Sequence, residues 1–99
     1  MRLSAEQIDQ IRLSAAKSFG PESQVWLFGS RVHDHKRGGD IDLLVQLSPL
    51  PAAEILSRKI RFLGYLEKSL GAQKIDVVIE TPGDLRPIVR IAHETGIPL

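Results

Sequence analysis

Three aspartates carry the chemistry this sequence could do. Asp40 and Asp42 stand at i and i+2 at the head of one apolar run, Asp40-Ile41-Asp42-Leu43-Leu44-Val45. Asp76 stands near the head of another, Lys74-Ile75-Asp76-Val77-Val78-Ile79. Side chains alternate across a strand, so Asp40 and Asp42 project from one face, roughly 6–7 Å apart, while Ile41, Leu43 and Val45 turn towards a core. Like charges this close repel each other. A divalent cation between them removes the repulsion, and oxygen-only ligands suit magnesium or manganese better than zinc. Three carboxylates at one sheet end can hold two such ions about 3.5–4 Å apart, the spacing used for in-line displacement at phosphorus. Opposite them the sequence offers Gly29-Ser30, at the end of the apolar run Val25 to Phe28. Gly29 lets backbone approach a ligand closely, and Ser30 presents an N–H and a hydroxyl to an anion if a short helix begins there.

Taken singly, each signal has an ordinary explanation. A Gly-Ser pair is most often a turn, an Asp-x-Asp pair a solvated strand end, and Asp76 a strand-end charge. Their conjunction is far more specific, and it depends on the elements that would bring them together. Phosphate donors and the aspartate pair meet at one sheet edge only if strand one (Val25 to Phe28) and strand two (Asp40 to Val45) run antiparallel, which the nine residues between Ser30 and Asp40 permit. Strand three (Lys74 to Ile79) follows a helix-length segment. It can therefore lie parallel to strand two through a right-handed crossover, with Asp76 beside Asp42.

The supporting elements read in chain order. Ser4 with Gln7 forms a capping-box pattern, and Ile8, Ile11, Ala15 and Phe19 recur at helical spacing, predicting a first helix to Lys17 or Ser18 before Gly20-Pro21. Trp26 belongs to a strand apolar on both faces and is expected in the core rather than under a base. Ser48-Pro49-Leu50-Pro51 ends strand two. Ala52 to Leu70 is the crossover helix, with Ile55, Leu56, Ile60, Leu63, Leu66 and Leu70 as its apolar stripe and Gly71 as its stop. Its charges, and Tyr65, are assigned to surface or packing. After Thr81-Pro82-Gly83, Asp84 is expected to cap a last helix with Pro87 in its first turn. Ile97-Pro98-Leu99 is expected to pack back on the sheet.

The segment Arg31 to Gly39 is the most polar in the chain. Arg31 adjoins Ser30 and could reach a bound triphosphate; a structural ion pair is the competing account. Lys36 and Arg37 could do the same or solvate the loop, and Gly38-Gly39 allow a tight turn into strand two. His33, Asp34 and His35 are weak evidence for a transition-metal site, having neither cysteine nor a helical His pair beside them.

The phrases Leu-Phe-Gly-Ser-Arg (Leu27 to Arg31) and Gly-Gly-Asp-Ile-Asp-Leu-Leu-Val (Gly38 to Val45), followed by Asp76 in an apolar strand, resemble the DNA polymerase β-type nucleotidyltransferase superfamily. Within it they resemble the minimal nucleotidyltransferases of prokaryotes, many encoded beside a helical HEPN protein as toxin–antitoxin pairs. The resemblance spans nearly the whole chain, with one departure: the spacer from Ser30 to Asp40 is one residue shorter than in many members. It implies an α/β nucleotidyltransferase fold, with a three-stranded mixed sheet in order 1-2-3, strand 1 antiparallel, and helices packed on it. It further implies transfer of AMP from ATP, with Gly29, Ser30 and Arg31 binding the nucleotide. Asp40, Asp42 and Asp76 would be the catalytic residues and the ligands of two magnesium or manganese ions. The acceptor it implies is a hydroxyl on a HEPN-type toxin, which makes the chain an antitoxin. An antitoxin that acts by binding alone, and an enzyme that modifies a small molecule such as an aminoglycoside, are the alternatives.

Composition narrows the classes. The chain's 99 residues fit a single domain, 1–99, with one core. A formal net charge of +1 gives no broadly basic surface, so direct nucleic-acid binding is not expected. The absence of cysteine excludes disulfides and thiolate zinc sites. No apolar stretch approaches the roughly 20 residues of a membrane span and no signal peptide is apparent, so a cytoplasmic location is expected.

Overall fold

In a computed structural model that describes residues 3–32 and 40–99, with Ser30 given by its backbone alone, the first helix begins where its capping chemistry requires. Gln7 N donates to Ser4 Oγ at 3.1 Å, and Ser4 N donates to Gln7 Oε1 at 2.9 Å. That reciprocal pair satisfies two amides that the helix start would otherwise leave unbonded. The elements then run α1 (Ala5–Phe19), β1 (Gln24–Phe28), a single 3-10 turn (Gly29–Val32), β2 (Ile41–Gln46), α2 (Ala52–Leu70), β3 (Ile75–Glu80), α3 (Pro87–Thr95) and β4 (Ile97–Pro98). No helix among the described residues is long and apolar enough to cross a membrane.

The sheet has the order β3-β2-β1-β4. β1 is antiparallel to β2, and β3 is parallel to β2, as the sequence predicts. The expected three-strand order 1-2-3 is present but incomplete. A fourth strand, β4, pairs antiparallel with the free edge of β1 through Trp26↔Pro98 and Leu27↔Ile97, and Leu99 N donates to Val25 O at 2.9 Å. Two residues are too few to show any alternation, so the sequence predicts only that this tail packs on the sheet.

The two sheet faces are covered unequally. Val25, Leu27, Ile41, Leu43, Val45, Val77 and Ile79 point to one side, where α1 and α2 bury them with Ile11, Ala15, Phe19, Phe62 and Leu66. The Phe19 and Phe62 rings meet edge to face at 5.4 Å between centroids. Each large side chain buried there contributes about 1.5–3 kcal/mol relative to exposure. The other side holds a smaller cluster, in which Phe28 and Leu44 pack under Val89 and Ala92 of α3, with Trp26 and Val78 at its margin. Trp26 is thus half-buried packing, its ring edge-on to His93.

Two helix readings are corrected. Leu56 and Ile60 are not part of the buried stripe of α2, being 59% and 62% exposed. The inward line instead runs through Ile55, Phe62, Leu63, Leu66 and Leu70, and residues 56 and 60 lie about 100° further round the helix. Nor is Asp84 the cap of α3, whose first helical residue is Pro87 and whose cap position is Arg86, without a side-chain bond. Asp84 accepts from Thr81 N at 3.4 Å and from Arg86 N at 3.2 Å, closing the turn before the helix. Arg86 bonds back to Asp84 and donates through Nη2 to Ile79 O at 2.6 Å.

Candidate active site

Strand register puts the chemistry-bearing residues side by side. Asp42 has Phe28 as its cross-strand partner on one side and Asp76 on the other. Asp40, Asp42 and Asp76 share the α3 side of the sheet by alternation with Leu44 and Val78. Asp76 is exposed, and Asp40 and Asp42 are half-buried. Register thus sets Asp42 beside Asp76, with Asp40 two residues before Asp42.

Gly29 follows Phe28 and bends the chain into the 3-10 turn that holds Ser30. Its φ of +78° favours glycine, and a Cβ there would overlap Asp42 Oδ2 and lie 3.1 Å from Asp42 Cγ. The torsion disfavours a side chain and a Cβ would have to displace the Asp42 carboxylate, so backbone passes directly against it. The expected short helix after strand one is present as this turn. Arg31, half-buried, donates through Nη2 to Gln73 Oε1 at 3.2 Å, and Gln73 Nε2 donates to Leu70 O at 2.9 Å. Arg31 is thereby linked to the α2–β3 connection. His33, Asp34, His35, Lys36, Arg37, Gly38 and Gly39 lie outside the described residues.

The electrostatics follow from the placement. Partial burial raises the Asp42 carboxyl above its ordinary range, and the charges of Asp76 and Asp40 add to the rise. Lys74 opposes them. Its Nζ lies 3.4 Å from Asp40 Oδ2, and the hydrogen bond and charge of Asp40 hold the ammonium above its usual range, helped by Asp76. Sequence reasoning did not single out Lys74 for the site. The signal was its spacing of two from Asp76, which places it on the same face; its pairing with Asp40 appears only with the register, where Ile41 N donates to Lys74 O at 3.1 Å.

The donor set suits a hard divalent cation, since three carboxylates under mutual repulsion are relieved by one. Among the described residues, however, no three His, Cys, Asp or Glu side chains already form a metal-binding group. Asp40, Asp42 and Asp76 are neighbours on an open face, and an ion would have to draw their oxygens together. A groove of about 540 Å³ lies elsewhere, between α1 and β4, lined by Arg12, Leu13, Ala16, Val25 and Pro98. None of the three aspartates borders it.

Comparison with curated proteins gives no match. The family model of the nucleotidyltransferase domain matches residues 8–98, which include Gly29, Ser30, Asp40, Asp42, Asp76 and all four strands.

Proposed function

The chain belongs to the nucleotidyltransferase domain family, and from that premise we propose that it transfers AMP from ATP to a hydroxyl on a helical, HEPN-like partner protein. The observation that carries the reading is the contact of Gly29 with Asp42, itself flanked by Asp76 across the next strand pair. A backbone turn for phosphate stands against carboxylates for cations, within one open end of the sheet.

The residue roles follow from position. Backbone amides of the turn from Gly29 hold the triphosphate, with Ser30 and Arg31 beside it. Asp40 and Asp42 would hold two divalent cations, magnesium or manganese, and Asp76 would share one of them. When bound, those ions supply neutralisation of the phosphate charge. Asp76 lies farthest from the turn, beyond Asp42, so it faces the incoming hydroxyl and takes up its proton. The acceptor oxygen forms a bond to the α-phosphorus as the bond to the β-phosphate bridging oxygen breaks, and pyrophosphate leaves. Positioning and charge compensation supply most of the catalysis.

A protein acceptor is supported by the exposure of Asp76. α3 packs over Phe28 and Leu44, and Asp76 remains exposed to whatever approaches. The test is the intact mass of the partner after incubation with this chain, ATP and magnesium. A gain of one AMP is expected with wild type and none with Asp40→Asn or Asp76→Asn, while both variants still bind the partner. An unmodified partner whose toxicity is suppressed equally by wild type and variants would replace transfer with inhibition by binding alone. Modification of a small molecule instead of the partner would favour an enzyme of the aminoglycoside-modifying type.

A further inference from the structure

At the mouth of the site, β2 and β3, with the residue leading into each, present four charged residues in a two-by-two array. Asp42 faces Asp76, a like pair, and one step towards the strand starts Asp40 faces Lys74, an opposite pair. Lys74 precedes Asp76 by two residues, so alternation turns it to the same face. Its Nζ stands 3.4 Å from Asp40 Oδ2, and its side chain is 72% exposed. The ammonium is thus held by charge rather than by packing, on a four-carbon stem free to swing away.

We propose that Lys74 is the resident counter-charge of the acidic array, so that a divalent cation reaches Asp40 only by displacing the Lys74 ammonium. The inference rests on the metal-assisted reading above. A cation on Asp40 and an ammonium 3.4 Å from the same carboxylate would compete for one oxygen and repel each other. Lys74 therefore weakens loading of the site by free metal. A triphosphate brings four negative charges and shifts that competition towards the metal, so cation and nucleotide are favoured together over either alone. In the metal-free protein the same lysine partly offsets the repulsion among the three carboxylates.

The test is direct titration of the intact protein with manganese, without nucleotide, by calorimetry or by the loss of free-ion EPR signal. Lys74→Met is expected to tighten manganese binding about fivefold, the size of an exposed charge-pair effect. Lys74→Arg should stay close to wild type. Lys17→Met removes the same charge on the opposite side of the sheet, at its far end, and screening should hold its effect within about twofold. In EDTA, Lys74→Met should melt below wild type, and saturating manganese should close that gap. Unchanged or weaker manganese binding by Lys74→Met, with wild type binding normally, overturns the counter-charge role and leaves the transfer reading standing. Failure of wild type to take up manganese, even with ATP present, overturns both.

Discussion

The α3 side of the sheet carries polar residues at both ends of the same two strands, and the ends are treated in opposite ways. At one end Asp42 faces Asp76; four residues along, Gln46 faces Glu80. Gln46 Nε2 donates to Glu80 Oε2 at 3.3 Å, the other oxygen of Glu80 meets the His93 ring, and the Arg86–Asp84 pair closes the neighbouring turn. Each of these polar groups has a partner in the chain. At the acidic end the like charges face each other, and among the described residues Lys74 pairs with Asp40. Polar groups that hold a fold are matched inside it; like charges left side by side mark a candidate site.

Exchanging charge for amide at each end should break the symmetry most sharply. Asp42→Asn is expected to lower nucleotidyl transfer by about 10²–10³-fold or more, while metal-free melting stays level or rises as repulsion is relieved. Glu80→Gln should do the reverse, costing about 1–2 kcal/mol of stability with transfer preserved. Paired assays of AMP incorporation and denaturant unfolding read both halves. Two variants losing activity alike, or stability alike, would erase the distinction.

A smaller effect is expected at the hinge between strand and site. Gly29→Ala forces a side chain into left-handed backbone at about 1–2 kcal/mol and pushes the Asp42 carboxylate aside. Manganese and ATP affinities should then fall about tenfold or more, beyond what the stability loss explains. Isothermal titration of the folded variant checks this; wild-type affinities would mean that Gly29 serves the turn alone.

The smallest effect belongs to the matched end. Hydrogen bonds from Arg86 hold the Asp84 carboxyl well below its ordinary range. A depressed carboxyl contributes stability that is fully present above its unfolded value of about 3.9 and is lost as pH falls below it, towards the folded value. Asp84→Asn should therefore lower the melting temperature at neutral pH and flatten its decline below about pH 4. Parallel acid-melting curves for variant and wild type would remove Asp84 from the account.

Much of this contrast was legible in the sequence, and the exceptions have physical causes. The aspartate trio was readable because alternation and a crossover helix fix which strand ends coincide, and α2 spans the predicted Ala52–Leu70 because a proline and a glycine bound it. Lys74 was passed over because a cross-strand partner depends on register, which no single segment encodes. Asp84 has the residue type of a cap, yet an arginine two positions on engaged it first. Leu56 and Ile60 were assigned to the core because apolar residues outnumber the positions one helix face can bury. β4 was too short to announce itself.

Gly96 gives α3 a mechanical character. A Cβ there would overlap Ala92 O and lie 2.9 Å from Leu27 O, so the helix end and β1 meet with no gap between them. The chain then locks into β4, while at the helix start Arg86 is bolted to Ile79 O. α3 is a beam clamped at both ends across the sheet. It cannot swing down over the aspartates without unfastening an arginine at one support or a strand at the other. Among the described elements α3 thus stands as a stationary wall beside the aspartates.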